Sequence, residues 1–182
     1  MRKSLRYVGG LVFCNFYRLL RIFPNNDPIL GFALPFGKRD KPWQAALFAA
    51  LAMVSFDFIT GMIGMWTIGT ALSYGLITLL FGYYFKGQKT VGLKKYAGSS
   101  IVAVLLFDFL TGPVMSSALF RIPFEIAFLG QIPFTMMHLG SAVPLTIMIV
   151  TVVDPALRKQ LFGLVAKAAQ RLKMVSSLIQ EL

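Results

Sequence analysis

The chain has 182 residues, 57% of them apolar and only 14% charged, with a mean hydropathy of +0.71. A soluble domain carries about a quarter charged residues and a disordered chain is apolar-poor, so both classes are excluded. A single cysteine, Cys14, excludes a disulfide scaffold. The net charge of +11 sits between and after apolar segments, where membrane topology rather than nucleic-acid binding places it.

Six apolar stretches follow in order, at about 5–22, 28–37, 43–60, 66–85, 96–112 and 132–153. The first resembles a signal peptide, with Arg2 and Lys3 ahead of Leu11-Val12-Phe13-Cys14. It lacks a small-x-small cleavage site, and bulky Phe13 before the cysteine argues against a lipoprotein box, so a retained first helix is expected. The second stretch is short for a bilayer, whose core needs about 17–25 helical residues. Pro28, Gly31, Pro35 and Gly37 make it irregular. It is a short crossing buried among neighbours or a re-entrant loop, because irregular backbone at membrane depth needs protein or water to satisfy it.

Charge counting separates these options. If all six stretches cross, fifteen basic residues fall on one side: the amino-terminal group, Lys38 to Lys41, Lys86 to Lys95, and the tail after Asp154. Only Arg18, Arg21 and Arg121 fall on the other. The positive-inside rule then puts both termini in the cytoplasm. Trp43, Tyr83, Tyr84 and Tyr96 mark inner helix ends and Trp66 an outer one.

The expected fold is an all-α integral membrane protein, a bundle of six transmembrane helices with a short second one. Residues 1–154 would form the membrane domain and 155–182 an amphipathic C-terminal helix. In that tail Asp154 suits an N-cap and Pro155 the first helical position. Leu157, Leu161, Leu164, Ala168, Leu172, Val175, Ile179 and Leu182 form its apolar stripe, flanked by Arg158, Lys159, Lys167, Arg171 and Lys173. Such a helix suits the anionic inner leaflet.

An internal repeat supplies the sharpest signal. Phe56-Asp57-Phe58-Ile59-Thr60-Gly61 recurs as Phe107-Asp108-Phe109-Leu110-Thr111-Gly112, within a parallel repeat of about 43–85 and 94–153. In each copy carboxylate and threonine are three apart, on one helical face. An acid inside a span costs on the order of 2.5–3.5 kcal/mol, so each needs a reason. Either each carboxylate bonds a neighbouring helix, or both face one cavity with His138, the only histidine. His138 lies at a depth similar to the two acids and Trp66 at an outer helix end; Arg121, in an outer loop, pairs with Glu125 four residues on if that stretch is helical, and otherwise meets an anionic ligand or one of the intramembrane carboxylates. Gly61 and Gly112-Pro113 are expected to stop or kink their helices. The substrate-binding set is thus Asp57, Thr60, Trp66, Asp108, Thr111, Arg121 and His138, with no metal or cofactor.

Enzymatic chemistry finds no foothold. Gly82-Tyr83-Tyr84-Phe85-Lys86-Gly87 starts like a P-loop but continues with Gln88 where lysine is required. His-Glu-x-x-His, Cys-x-x-Cys and Gly-x-Ser-x-Gly are missing from the sequence.

Arg21-Ile22-Phe23-Pro24, Pro28-Ile29 with Ala33-Leu34-Pro35-Phe36-Gly37, Phe56-Asp57-Phe58 and Ile132-Pro133-Phe134 carry a family resemblance. From about Arg18 to Asp154 the chain resembles the S components of energy-coupling factor (ECF) transporters, nearest to their uncharacterised small S-component-like relatives. The resemblance implies a vitamin-like substrate captured from outside, in a cavity between the outer halves of the helices. It also implies association with a transmembrane coupling subunit and two ATPases. The small-residue motif that S components offer that subunit has only Gly10 and Cys14 as candidates in the first helix. Ala45, Ala46, Ala49 and Ala50 form a small-residue stripe on the third. The competing expectations are a stand-alone proton- or ion-coupled carrier working through Asp57 and Asp108, and a membrane scaffold whose tail recruits a partner.

Overall fold

The computed structural model describes residues 3–22 and 27–180, with side chains through 172. Readings that fall on Arg2, Phe23, Pro24, Asn25, Asn26 and Leu182, and on the side chains of Lys173, Val175 and Ile179, lie outside the described residues. Helices α1 (Lys3–Leu19), α2 (Ile29–Arg39), α3 (Pro42–Thr60), α4 (Met65–Phe85) and α5 (Leu93–Phe109) come first. A π-helical turn at Leu110–Val114 leads into α6 (Met115–Phe120), then α7 (Phe124–Val153) and α8 (Pro155–Gln180). The described chain is all-helical.

Four segments are long and apolar enough to cross a membrane: Pro42–Thr60, Met65–Phe85, Leu93–Phe120 and Phe124–Val153. The chain is therefore a multi-pass membrane protein. Their outward faces carry Phe58, Leu72, Met136 and Met148, each about two-thirds exposed or more. In water such a surface would aggregate, whereas in lipid it is the solvent-matched face.

The seventeen residues of α1 and the eleven of α2 fall short of that length. α2 is instead buried along most of its length, from Ile29 to Gly37 with only Phe32 partly open. Pro35 sits inside it, tolerated because neighbouring helices surround the disturbed turn. α1 runs parallel to α3: Lys3 meets Gln44 near both amino ends, and Asn15 Nδ2 donates to Ser55 Oγ at 3.0 Å further along. α2 therefore runs antiparallel to both, packed on α3, α4 and α7. It starts beside Arg18 and ends beside Tyr7, whose hydroxyl donates to Asp40 at 3.1 Å.

Small residues let the helices approach. A Cβ on Gly82 of α4 would stand 2.8 Å from Pro42 Cβ, and one on Gly37 of α2 would meet Gly82 Cα at 3.0 Å. The alanine stripe of α3 is consumed the same way. Ala45 and Ala49 are fully buried, and Gly75 of α4 packs against Ala46 and Ala50. Gly10 and Cys14 of α1 also face inward, Gly10 against the Phe48 ring.

Two boundaries differ from the hydropathy reading. α7 starts at Phe124, eight residues before Ile132, so Pro133 lies within the helix rather than at its start. The segment is continuously helical because Pro123 and Glu125 provide a helix start that apolarity alone conceals. Gly61 ends α3 in the left-handed region (φ 70°), whereas Gly112-Pro113 does not stop its helix. There the chain absorbs the proline in the π-helical turn and continues to Phe120.

At the far end of α7, Asp154 joins four elements. Its Oδ2 accepts from Lys38 Nζ at 2.7 Å and Tyr96 Oη at 2.8 Å, and its Oδ1 caps α8 through the Ala156 N–H at 2.9 Å. Burial pushes the Asp154 carboxyl up, but the hydrogen bonds from Lys38, Tyr96 and Ala156 outweigh it and hold the group below its ordinary 3.8. A depressed carboxyl stabilises the fold above its unfolded value and loses that contribution as pH falls through the folded one. The melting temperature of the wild-type chain in detergent should thus drop as pH falls below 3.8. Asp154→Asn should melt lower at neutral pH and show a flatter acid profile, read by a thermal unfolding series.

Gly82→Leu should cost about 1–3 kcal/mol through overpacking against Pro42. Gly98→Leu, where an added Cβ meets nothing within 4 Å, should leave the melting temperature nearly unchanged. Equal losses at both positions would contradict this packing.

Candidate ligand cavity

At the end of the bundle opposite Asp154, the helices part around a cavity of about 590 Å³. This lies within the roughly 300–1,000 Å³ of small-molecule sites. Its walls come from the end of α1 (Tyr17, Arg18), the segment after it (Arg21, Ile22), Asp27 ahead of α2, and the end of α3 (Met53, Phe56). The start of α4 adds Trp66, Thr70 and Tyr74, α5 and its π-helical turn add Phe107, Thr111 and Gly112, and α7 adds Gln131, Phe134 and His138. The Gln131 side chain occupies the space left by the missing Cβ of Gly112.

His138 is oriented from behind. Its Nδ1 lies 2.8 Å from Asp108 Oδ1, with both side chains almost fully buried. With the carboxylate as acceptor, Nδ1–H donates, and Nε2 is the ring's other polar atom. Asp108 Oδ2 is buried without a hydrogen-bond partner among the described residues, which makes it the most costly polar atom of the site. Phe107 and Phe134 pack edge-on against the imidazole, and Tyr74 stacks on Phe107 at 4.1 Å between ring centroids.

Across the cavity the guanidinium of Arg18 lies over the Phe56 ring, 3.9 Å from its centroid. Its Nη1 donates to the Met53 thioether at 3.2 Å, a weak acceptor, and its Nε is 3.8 Å from Asp27 Oδ2. Asp27 in turn accepts the Ile29 N–H at 2.7 Å, placing a negative charge at the favourable amino end of α2. Arg21 holds a left-handed backbone (φ 47°), uncommon for a residue with a side chain.

Of the residues singled out from sequence, Trp66, Thr111 and His138 line the cavity, and Asp108 supports His138 from outside the wall. Asp57, Thr60 and Arg121 do not line it. Asp57 Oδ2 accepts from Thr67 Oγ1 at 2.6 Å, and the Asp57 carbonyl accepts from Met62 N at 2.8 Å, so this acid fastens the α3–α4 turn. The two acids thus share no site, although their hexapeptides are nearly identical. The chain turns back at Gly61 in one copy and continues past Gly112 in the other. The threonines behave alike in both: Thr60 and Thr111 donate to the carbonyls four residues earlier, at 2.9 and 2.8 Å, rather than to the acids. Arg121 lies in a left-handed turn (φ 56°) between α6 and α7, which removes the helical spacing needed to pair with Glu125.

Arg18, Arg21, Asp27, Tyr74 and Gln131 also line the cavity and are not among the site candidates that the sequence marks out. The available signal was charge next to a short span: Arg18, Arg21 and Asp27 bracket the join between the first two stretches. Among the described residues no three His, Cys, Asp or Glu side chains converge as a metal site would require. No protein-family model matches the chain, and no curated protein or solved structure matches it significantly.

The two repeated acids should respond differently to amidation. Asp108→Asn should lower stability by about 1–3 kcal/mol, because the bond to His138 loses its charge assistance and the amide NH2 enters the buried Oδ2 position, which has no partner among the described residues. Asp57→Asn keeps an acceptor oxygen for Thr67 at a half-buried position and should change stability by under about 1 kcal/mol. Detergent melting curves of the two variants check this, and matching losses would contradict it.

Proposed function

We propose that the chain is a substrate-binding membrane subunit of a small-molecule importer, of the S-component kind. The observation that carries the reading is the cavity: one well-formed space at one end of the bundle, with aromatic walls and a few convergent polar groups. In this reading α1 and α2 complete six crossings, both termini are cytoplasmic, and the cavity opens to the outer side of the cell membrane. The course of α2, antiparallel to α1 and α3, supports six crossings. The basic clusters at the Asp154 end support the orientation. Helix α8 then lies along the inner surface, the exposed Leu161, Leu164 and Leu172 of its apolar stripe turned towards lipid.

The stand-alone carrier draws no support from the geometry, because Asp57 and Asp108 have separate partners. Coupling to a transmembrane subunit with ATPases belongs to the same proposal. Its contact face would differ from the alanine stripe of α3, which is spent on α2 and α4.

Native mass spectrometry of the chain purified from its membrane should show a small molecule retained in substoichiometric to equal amount. His138→Leu together with Arg18→Gln should remove it while the chain stays folded. A chain that carries no small molecule, and that releases none on denaturation, would contradict the capture role.

A further inference from the structure

We infer that the ligand of this cavity is a planar, aromatic monocarboxylate. The inference rests on the reading of the cavity as a ligand site and names what that site selects.

Charge comes first. The ionisable groups facing the space are Arg18, Arg21, Asp27 and His138. Two guanidinium groups against one carboxylate leave one positive charge on the lining itself, and Asp108 stands outside that wall, behind His138. A single anionic group neutralises that excess. A second negative charge would meet Asp27, whose Oδ2 lies only 3.8 Å from the Arg18 Nε. A monoanion therefore fits better than a phosphate monoester, and a cation is disfavoured.

The geometry of Arg18 sharpens the choice. Its flat face is taken by the Phe56 ring at 3.9 Å. Its in-plane N–H edge is engaged, among the described residues, only by the Met53 sulfur and by Asp27 at long range. Guanidinium donors held in a plane match a carboxylate fork, and stacking fixes that plane in advance. His138, oriented by Asp108, offers one further polar atom.

The walls select the body of the molecule. Six aromatic side chains line the cavity (Tyr17, Phe56, Trp66, Tyr74, Phe107 and Phe134), against two aliphatic ones, Ile22 and Met53. Ring faces and edges pack best against another π-system, in offset or edge-to-face contact. A saturated acyl chain from the bilayer would lose that complementarity, although it carries the same carboxylate.

The test uses the full chain in nanodiscs, with equilibrium dialysis against empty nanodiscs to subtract lipid partitioning. The probes are 2-naphthoate, 2-naphthamide, 2-naphthyl phosphate, 2-naphthylmethylamine and decanoate. Saturable binding of 2-naphthoate is expected, at least tenfold tighter than any of the other four. Arg18→Gln should cost the acid at least tenfold and leave the amide unchanged. Arg18→Lys, which keeps the charge but loses the planar fork, should recover only part of that loss. Both variants must melt near the wild type, because Arg18 also pairs with Asp27. Preference for the amide, phosphate or amine overturns the chemical class while the capture reading stands, and preference for decanoate points to a lipid-derived ligand. A co-purified ligand without an acidic group also overturns the class. If no probe binds saturably, the class fails, and the capture reading then stands or falls on whether the purified chain retains any small molecule.

Discussion

An eleven-residue helix buried among the spanning helices sets the terms for the rest of this structure. At 1.5 Å per residue α2 is about 16 Å long, roughly half of a hydrocarbon core of about 30 Å. Lipid cannot satisfy its ends or the backbone disturbed by Pro35, so neighbouring helices must. One end is tied by Lys38 to Asp154 and by Asp40 to Tyr7 and Arg6. The other begins at Asp27, which accepts from Ile29 and pairs with Arg18. With one end pinned near the Asp154 cluster, the shortfall falls wholly at the other. The cavity lies there, walled by the longer helices that rise past the start of α2.

The same requirement explains why polar groups cluster at two levels. The Asp154 level is closed: the carboxylate is shared among a lysine, a tyrosine and a helix amino end. The cavity level is open. Arg18 leans on a weak thioether acceptor and a ring, with Asp27 no nearer than 3.8 Å. Saturated polar networks rigidify a fold, whereas under-satisfied ones are where a ligand gains most by binding.

Much of the scaffold was legible because its cause is local. Apolar length marks α3, α4 and α5, and Asp154-Pro155 marks the start of α8 through capping chemistry. The start of α7 was hidden, since Arg121 to Gln131 mixes polar and apolar residues and helix continuity there depends on packing. The site was legible only in part. His138, Trp66 and Thr111 stand out as polar or amphipathic groups at one depth. Arg18, Asp27 and Tyr74 come together only when α2 folds back against α3, α4 and α7, a tertiary event with no sequence period. The repeat misled for a related reason. Identical hexapeptides give identical local bonding, seen in Thr60 and Thr111, but what a carboxylate faces is decided by where the chain goes next. Gly61 sends it straight into α4, so Asp57 finds Thr67. Gly112-Pro113 carries it on beside α7, so Asp108 finds His138.

The placement of His138 follows from α7 itself. Pro133 and Pro144 each lack an N–H, so the helical hydrogen bonds that would reach the carbonyls of Leu129 and Gly140 are missing. The turns that carry His138 lie between these two interruptions, and the backbone ladder alone does not fix their direction. Side-chain packing does so instead, through Asp108 at Nδ1 and the rings of Phe107 and Phe134 on the imidazole. Asp108 is therefore a positioning group, and its cost inside the membrane is offset by the bond that aims His138 at the cavity. The imidazole, with Tyr74 behind Phe107, thus belongs to a wall whose shape is set by α5 and α4 as much as by its own helix.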